Sequence, residues 1–323
     1  MFDLKNLAPD KVPYLGLLKS VLGYVDTAHY TYGELSNEIN AETGGIACGV
    51  EVFDRADSVD EYRAFFGVKG KVMYPKMDVI FRMIREILNT SDVTDTRRLH
   101  EIISRVKSRA QSSLVSAGHS TAVLRAASYA SPMAAFQDGM AGIAYYQFIE
   151  KLDREFDDRK EEIIENLKSL MVAILRPENL CISYTGERES LDSVQKQIRE
   201  LKKTLHQEVT ESSSSEMICQ KKNEGFMTSG QVQYVAQAGN FRKKGYDYTG
   251  ALNILKVALS YDYLWINIRV KGGAYGCMSG FKYSGESFFV SYRDPHLKRT
   301  FDVFAGIPDY VRGFQADERE MTK

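Results

Sequence analysis

Histidine is scarce in this chain of 323 residues, and the five present, His29, His100, His119, His206 and His296, are scattered, no two of them within one helical turn. Neither H-E-x-x-H nor the inverted H-x-x-E-H occurs. The chain therefore lacks the paired histidines that hold zinc in the common peptidase motifs. Cysteine is also rare: Cys48, Cys181, Cys219 and Cys277 lie far apart without a C-x-x-C pair. That excludes a zinc knuckle and a disulfide framework, and fits a reducing compartment. A G-x-S-x-G elbow is missing too, so no serine nucleophile is indicated. Cys48, Cys181 and Cys277 fall on apolar, strand-like segments, where a thiol is expected to act as a small buried hydrophobe. Cys219 is expected at the surface.

Charge of one sign is lacking as well. Lys plus Arg total 42 against 43 Asp plus Glu, which leaves no global field to hold nucleic acid or an anionic membrane. No run approaches the roughly 20 apolar residues that a membrane-spanning helix needs. The opening Met1-Phe2-Asp3-Leu4-Lys5 lacks the charged-then-apolar order of a secretory signal and reads as the tail of a strand entered midway. A cytoplasmic or organelle-matrix location is expected.

What remains is an ordinary globular composition, 44% apolar and 26% charged, on a length that suits two domains. Helices are written in their capping residues. Asp10 precedes a periodic apolar run from Val12 to Val21, reaching Tyr24. Thr31 and Glu34 form a T-x-x-E capping box for a helix ending at Gly44-Gly45. Ile46 to Phe53 and Tyr62 to Val68 read as antiparallel strands. Apolar residues at spacings of three and four then predict helices over Met77 to Ile87 and Leu99 to Leu114, followed by helical stretches at Ala134 to Phe156 and Arg159 to Met171. A short buried strand is expected at Asn179 to Tyr184, and a charge-laced helix from Leu191 to His206.

Glu211-Ser212-Ser213-Ser214-Ser215-Glu216 cannot bury apolar area and reads as a solvated linker. The expected organisation is a helix-rich α+β domain over 1–210, a linker over 211–224 and the start of a second α+β domain over 225–323, incomplete at its end. In the second part the expected order is strand Gln231 to Ala238, helix Thr249 to Tyr261, strand Leu264 to Val270, a glycine turn, and strands Gly276 to Tyr283 and Ser287 to Tyr292. Asp294-Pro295 then opens a helix, and another starts in residues 316–323. Helices over short, mostly antiparallel strands make the class α+β, with two related units.

The turn is Arg269-Val270-Lys271-Gly272-Gly273-Ala274-Tyr275-Gly276. Phosphate-binding glycines open directly into a helix, whereas these lead into a strand, so phosphate is disfavoured. Two readings stay open. In one, Gly272 and Gly273 form a hairpin corner, Arg269 is a surface charge and Tyr275 a packed aromatic. In the other, the corner presents a rigid fork of donors and a phenol to a peptide carbonyl or carboxylate.

Thr31-Tyr32-Gly33-Glu34-Leu35, Glu42-Thr43-Gly44-Gly45-Ile46, Arg269 through Gly276, and Ser291-Tyr292-Arg293-Asp294-Pro295, taken in this order, resemble the C-terminal half of zinc peptidases of the pitrilysin/insulinase family. The resemblance runs over nearly the whole chain. It implies an insulinase-type fold, related to LuxS-like metallohydrolases, in which two halves close on a chamber. The N-terminal half of the same polypeptide would carry zinc on its H-x-x-E-H. The C-terminal half would bind peptide substrates through Arg269 and Tyr275, held by Gly272 and Gly273. This chain would then have no catalytic or metal-ligating residue of its own and would be inactive alone. The alternatives are a non-catalytic peptide-binding or scaffold member of that family, and an unrelated α+β protein whose corner is structural.

Overall fold

A computed structural model describes residues 1–207, 217–228, 230–316 and 318. The expected serine linker at 211–216 lies outside the described residues, as does the helix expected in 316–323 apart from Ala316 and Glu318. The chain divides into two compact units that interleave in sequence. The first comprises Met1–Asp54, Tyr62–Gln111 and Phe136–Met217, and the second Arg55–Glu61, Ser112–Ala135 and Ile218–Lys323.

In chain order the elements up to residue 207 are β1 (Phe2–Asp3), α1 (Val12–Val21), α2 (Tyr32–Glu42), β2 (Ile46–Asp54), β3 (Tyr62–Gly70), α3 (Met77–Thr90), α4 (Thr96–Ser116), α5 (Gly118–Ser128), α6 (Pro132–Ala141), α7 (Ile143–Arg154), α8 (Phe156–Ile174) and α9 (Leu191–Thr204). In the first unit β1, β3 and β2 form an antiparallel sheet with β3 central. Cys48 faces Val68, Val50 faces Phe66 and Val52 faces Ala64 across the pair. Helix α1 is apolar nearly all round, and it is accordingly enclosed, packing on β2, α7 and α8 with Leu15, Leu17, Leu18 and Val21 out of solvent. Phe66, Met83, Ile87, Leu99, Ile102, Ile163 and Leu167 complete that core.

The capping box forms as expected. Thr31 Oγ1 accepts the Glu34 N–H at 3.3 Å, and Glu34 Oε2 accepts the Thr31 N–H at 2.9 Å. Those bonds hold the Glu34 carboxyl below its ordinary pKa. Removing the cap with Thr31→Ala should cost about 1 kcal/mol of stability, the usual scale for a lost N-cap. Urea titration checks it, and a loss below the error of that measurement would mean that packing alone fixes the start of α2.

The second unit continues with β4 (Ala236–Asn240), α10 (Ala251–Ala258), a π-helix over Leu259–Val270, β5 (Gly276–Phe281), β6 (Glu286–Tyr292), α11 (Lys298–Ala305) and α12 (Ile307–Arg312). Its antiparallel sheet has the order β4-β6-β5, so β5 is an edge strand among the described residues. Helix α5 packs on β4 and β6. Val235, Leu259, Leu264, Ile268, Ala274, Phe304 and Ile307 form the core.

Several expectations need correction. Leu264 to Val270 is helical, not a strand. Leu264, Ile266, Ile268 and Val270 alternate with Trp265, Asn267 and Arg269, the period of a strand. Yet the residues buried here are Leu259, Leu264 and Ile268, at spacings of five and four. Such spacing follows the face of a widened helix that runs on from α10, and the Lys271 N–H bonds five residues back to the Ile266 carbonyl at 2.9 Å.

Asn179 to Tyr184 is not a strand either. Pro177–Asn179 is a 3-10 turn, and only Leu180 bridges, to Phe2. The stretch from Ala134 to Phe156 holds two helices, because Gly142 breaks it and the Asp138 carboxylate caps the second by accepting the Ile143 N–H at 2.9 Å. The strand expected over Gln231 to Ala238 forms later, as β4, after a single bridge between Gln233 and Asp294. Cys181 is exposed and Cys219 half-buried, the reverse of expectation. Cys48 is half-buried on β2, and burial pushes its thiol up to about 12.

Candidate functional site

The π-helix ends in the glycine pair. The Gly273 N–H bonds to the Arg269 carbonyl at 2.9 Å and the Ala274 N–H to the Ile268 carbonyl at 3.1 Å, around a left-handed Gly273 with φ +80°. This is a C-cap of the Schellman kind, widened by the π geometry. Gly272 has a different reason to be glycine: a Cβ there would stand 2.3 Å from the Ile268 carbonyl oxygen. The two glycines thus stop the helix and turn the chain toward β5, and they do so between Arg269 and Tyr275.

Arg269 occupies the last turn of the helix, where carbonyl dipoles favour a cation. Its guanidinium lies 4.0 Å from the centroid of the Trp265 ring, one turn earlier, and 5.8 Å from that of Tyr275. Among the described residues Arg269 makes no ion pair, and the Tyr275 hydroxyl has no hydrogen-bond partner; Tyr275 is 66% exposed. A guanidinium set over an indole and outside any ion pair has N–H groups free to donate, and a phenol beside it adds one more donor. This geometry corrects the expected one. The cation stands at a helix end and not on a strand corner, and the pair lies exposed at the surface. A surface hollow in the first unit is lined by His29, Tyr30, Glu34, Asn37, Glu38 and Ala41.

Tyr275 is fixed from behind. Its N–H is shared by the carbonyls of Tyr292 at 3.0 Å and Arg293 at 3.3 Å, and its ring meets the Tyr292 ring at 6.0 Å. Tyr292 is in turn backed by His119 of α5, edge-on at 4.9 Å, and by Tyr234 at 5.6 Å. Ser291 and Asp294 are structural. Ser291 is fully buried, with its N–H on the Val235 carbonyl at 2.9 Å. The buried Asp294 carboxylate accepts the His296 N–H at 2.8 Å and the Thr300 hydroxyl at 2.6 Å. Beneath the corner, Cys277 is half-buried; burial pushes its thiol up to about 11, opposed by the Arg269 charge and reinforced by Asp294.

Trp265 is the member that sequence reasoning missed. Read as a strand, 265 and 269 share a face but stand about 13 Å apart. Read as a helix, they touch. The spacing of four was the available signal, and it carries meaning only once the helix is known. Among the described residues no group of three or more His, Cys, Asp or Glu gathers in a way that could hold a metal ion. Nor is any described helix long and apolar enough to cross a membrane.

Residues 1–152 match the associated-domain family of the M16 peptidases, subfamily C, and residues 223–323 match the PreP C-terminal domain. The chain is 37% identical over 322 residues to Protein HypA of Clostridium perfringens, covering 100% of this chain and 33% of that protein. It is 28% identical over 332 residues to Presequence protease 1, chloroplastic/mitochondrial, of Arabidopsis thaliana, covering 100% of this chain and 30% of that protein. To the mitochondrial presequence protease of Yarrowia lipolytica it is 28% identical over 309 residues, covering 93% and 31%. The chain thus spans about a third of the length of these relatives. Among solved structures, the periplasmic protease PqqL of Escherichia coli superposes with a TM-score of 0.55 at 12% identity over 95% of this chain and 32% of that one, which supports the insulinase-type α+β fold. The two family matches and the presequence protease relatives together establish that the chain belongs to the presequence protease-like M16 peptidases, of which it represents a C-terminal portion.

Proposed function

We propose that this chain is the substrate-clamping part of a zinc-dependent oligopeptidase, which closes with an N-terminal half of the same polypeptide around unstructured peptides in a cytosol or an organelle matrix. The observation that carries the reading is the guanidinium of Arg269, stacked on Trp265 and without an acidic partner among the described residues, beside the free phenol of Tyr275. An unpaired cation held over a ring serves a carbonyl or a developing oxyanion well, because a prepositioned donor needs little reorganisation when the charge forms. Gly272 and Gly273 take part by setting the turn that brings the two side chains together.

The residues of this chain do not fit zinc: the sequence holds neither peptidase motif, and the described side chains assemble no ligand set. In this reading the metal belongs to the N-terminal half. This chain's own residues bind and orient the peptide and donate hydrogen bonds to its carbonyls.

Trp265 is the only tryptophan in the chain, so the site carries its own reporter. Titrating the chain with a short unstructured peptide should shift or quench the Trp265 emission without any peptide being cleaved, and Arg269→Ala should remove the response. An identical titration curve in Arg269→Ala would count against the clamp. Chelator-sensitive hydrolysis by the purified chain would contradict the placement of the metal.

A further inference from the structure

Among the described residues one side chain sits on a left-handed backbone outside glycine: Arg293, at φ +50°. The local geometry accounts for the turn. Two consecutive carbonyls, those of Tyr292 and Arg293, face the single N–H of Tyr275, as in a β-bulge, and Asp294 then exchanges backbone hydrogen bonds with Gln233 at 2.9 Å in both directions. A bulge of this kind is normally built with glycine, since a left-handed backbone disfavours every side chain. The turn explains the conformation and leaves the arginine unexplained.

Its side chain has a definite place. The Arg293 guanidinium lies 5.5 Å from the Tyr292 ring centroid, the Tyr292 ring 6.0 Å from that of Tyr275, and the Tyr275 ring 5.8 Å from the Arg269 guanidinium, which rests on Trp265. Cations and aromatic rings therefore form a ladder of five residues within one unit, with an arginine toward each end and the free phenol between them. Arg293 is exposed and, like Arg269, makes no ion pair among the described residues. Asp294, the acid next to it in sequence, is buried with its oxygens engaged by His296 and Thr300. Neither arginine has a carboxylate within ion-pair distance among the described residues, although the chain as a whole carries a net charge of −1.

We infer that Arg293 is a specificity-determining residue that receives a carboxylate of the bound peptide, beside the carbonyl grip of Arg269 and Tyr275. The inference rests on the clamp reading and adds a substrate class, peptides with a carboxylate placed within reach of the bulge. Two sources supply that chemistry, the free C-terminus and an Asp or Glu side chain. A strained cation kept where glycine would serve is the kind of local cost that persists at binding sites.

The test uses the full-length peptidase that contains this chain, and one short peptide in three forms: free C-terminal acid, C-terminal amide, and the free acid with an internal Glu replaced by Gln. The unsubstituted enzyme should prefer a carboxylate-bearing form over its neutral counterpart by roughly fivefold to tenfold in kcat/KM, a preference that weakens with salt. The neutral form that loses the preference identifies the source. In Arg293→Asn, which tolerates the left-handed backbone without a charge, the ratio should fall to about one, and Arg293→Lys should restore part of it. Melting of Arg293→Asn at or above the temperature of the unsubstituted protein shows that folding is not the cause. A ratio of one in the unsubstituted enzyme overturns the inference, as does a ratio that survives Arg293→Asn. Failure of the clamp reading looks different: Arg269→Ala would then turn over the amide peptide as fast as the unsubstituted enzyme.

Discussion

In the full-length peptidase, Arg269→Ala should lower kcat/KM by about 10- to 100-fold, at or below the bottom of the roughly 100- to 1000-fold range for losing one donor to a developing oxyanion. The smaller loss is expected because Tyr275 remains to hold the same carbonyl. Tyr275→Phe removes only the hydroxyl from a ring fixed by Tyr292, so it should fall in the same range with little change in stability. The double variant should cost less than the product of the two, since the pair acts on one group. Arg269→Lys keeps the charge and loses the planar fork, and should recover only a small part of the loss. Trp265→Ala gives the sharpest contrast. An exposed cation–π contact is worth about 0.5–1 kcal/mol, so unpinning the guanidinium should cost roughly two- to fivefold. The order of severity, Arg269 above Trp265, distinguishes a clamp from a merely packed corner. Steady-state kinetics on one peptide would decide it, and equal, near-native turnover in all of these variants would leave the corner structural.

Much of the first unit was legible in the sequence because its signals are local and agree with one another. The capping box of Thr31 and Glu34, the left-handed Gly45 in the turn that leads from α2 into β2, and the pairing of β2 with β3 each rest on a few adjacent residues whose preferences point one way. The failures share a cause. At Leu264 to Val270 two periodicities are superposed, and the choice between them is made by tertiary packing: Leu259, Leu264 and Ile268 must reach the same core as Phe304 and Ile307. At Asn179 to Tyr184 the apolar, strand-like composition had no long partner strand to pair with, so it stayed irregular.

The candidate site shows the same division. Arg269, Tyr275 and the glycines were visible as a motif, and the Arg269 guanidinium lies 5.8 Å from the Tyr275 ring, but at an exposed helix end rather than the strand corner the motif suggested. Trp265 was hidden by the wrong periodicity. Arg293 was in view, inside Ser291-Tyr292-Arg293-Asp294-Pro295, but its left-handed backbone is a property of the bulge and not of any residue preference, since arginine gives no hint of that conformation.

The two glycines of the turn should respond to alanine in clearly different ways. At Gly272 the new methyl would meet backbone on both near sides, the Ile268 carbonyl oxygen at 2.3 Å and that of Asn267 at 3.0 Å. Neither atom can move without unwinding the last turn of the π-helix. Gly272→Ala should therefore destabilise the second unit by about 3 kcal/mol, at the upper end for overpacking. At Gly273 there is room, the nearest atom being a Pro295 carbon at 3.8 Å, but φ is +80°. Gly273→Ala should cost only the left-handed penalty of about 1–2 kcal/mol, and Gly273→Asn less.

The consequences for the site should diverge as well. The clash at Gly272 strains the helix end that the Ala274-to-Ile268 and Gly273-to-Arg269 bonds close, and so moves Arg269 relative to Tyr275. Gly272→Ala should thus lose peptide binding along with stability, whereas Gly273→Ala should keep near-native affinity while it remains folded. Denaturant unfolding followed by Trp265 emission reads both, because the indole sits on the affected helix end. Equal losses for the two variants would mean that the close approach at Gly272 relaxes freely, and that the glycines do not fix the geometry of the clamp.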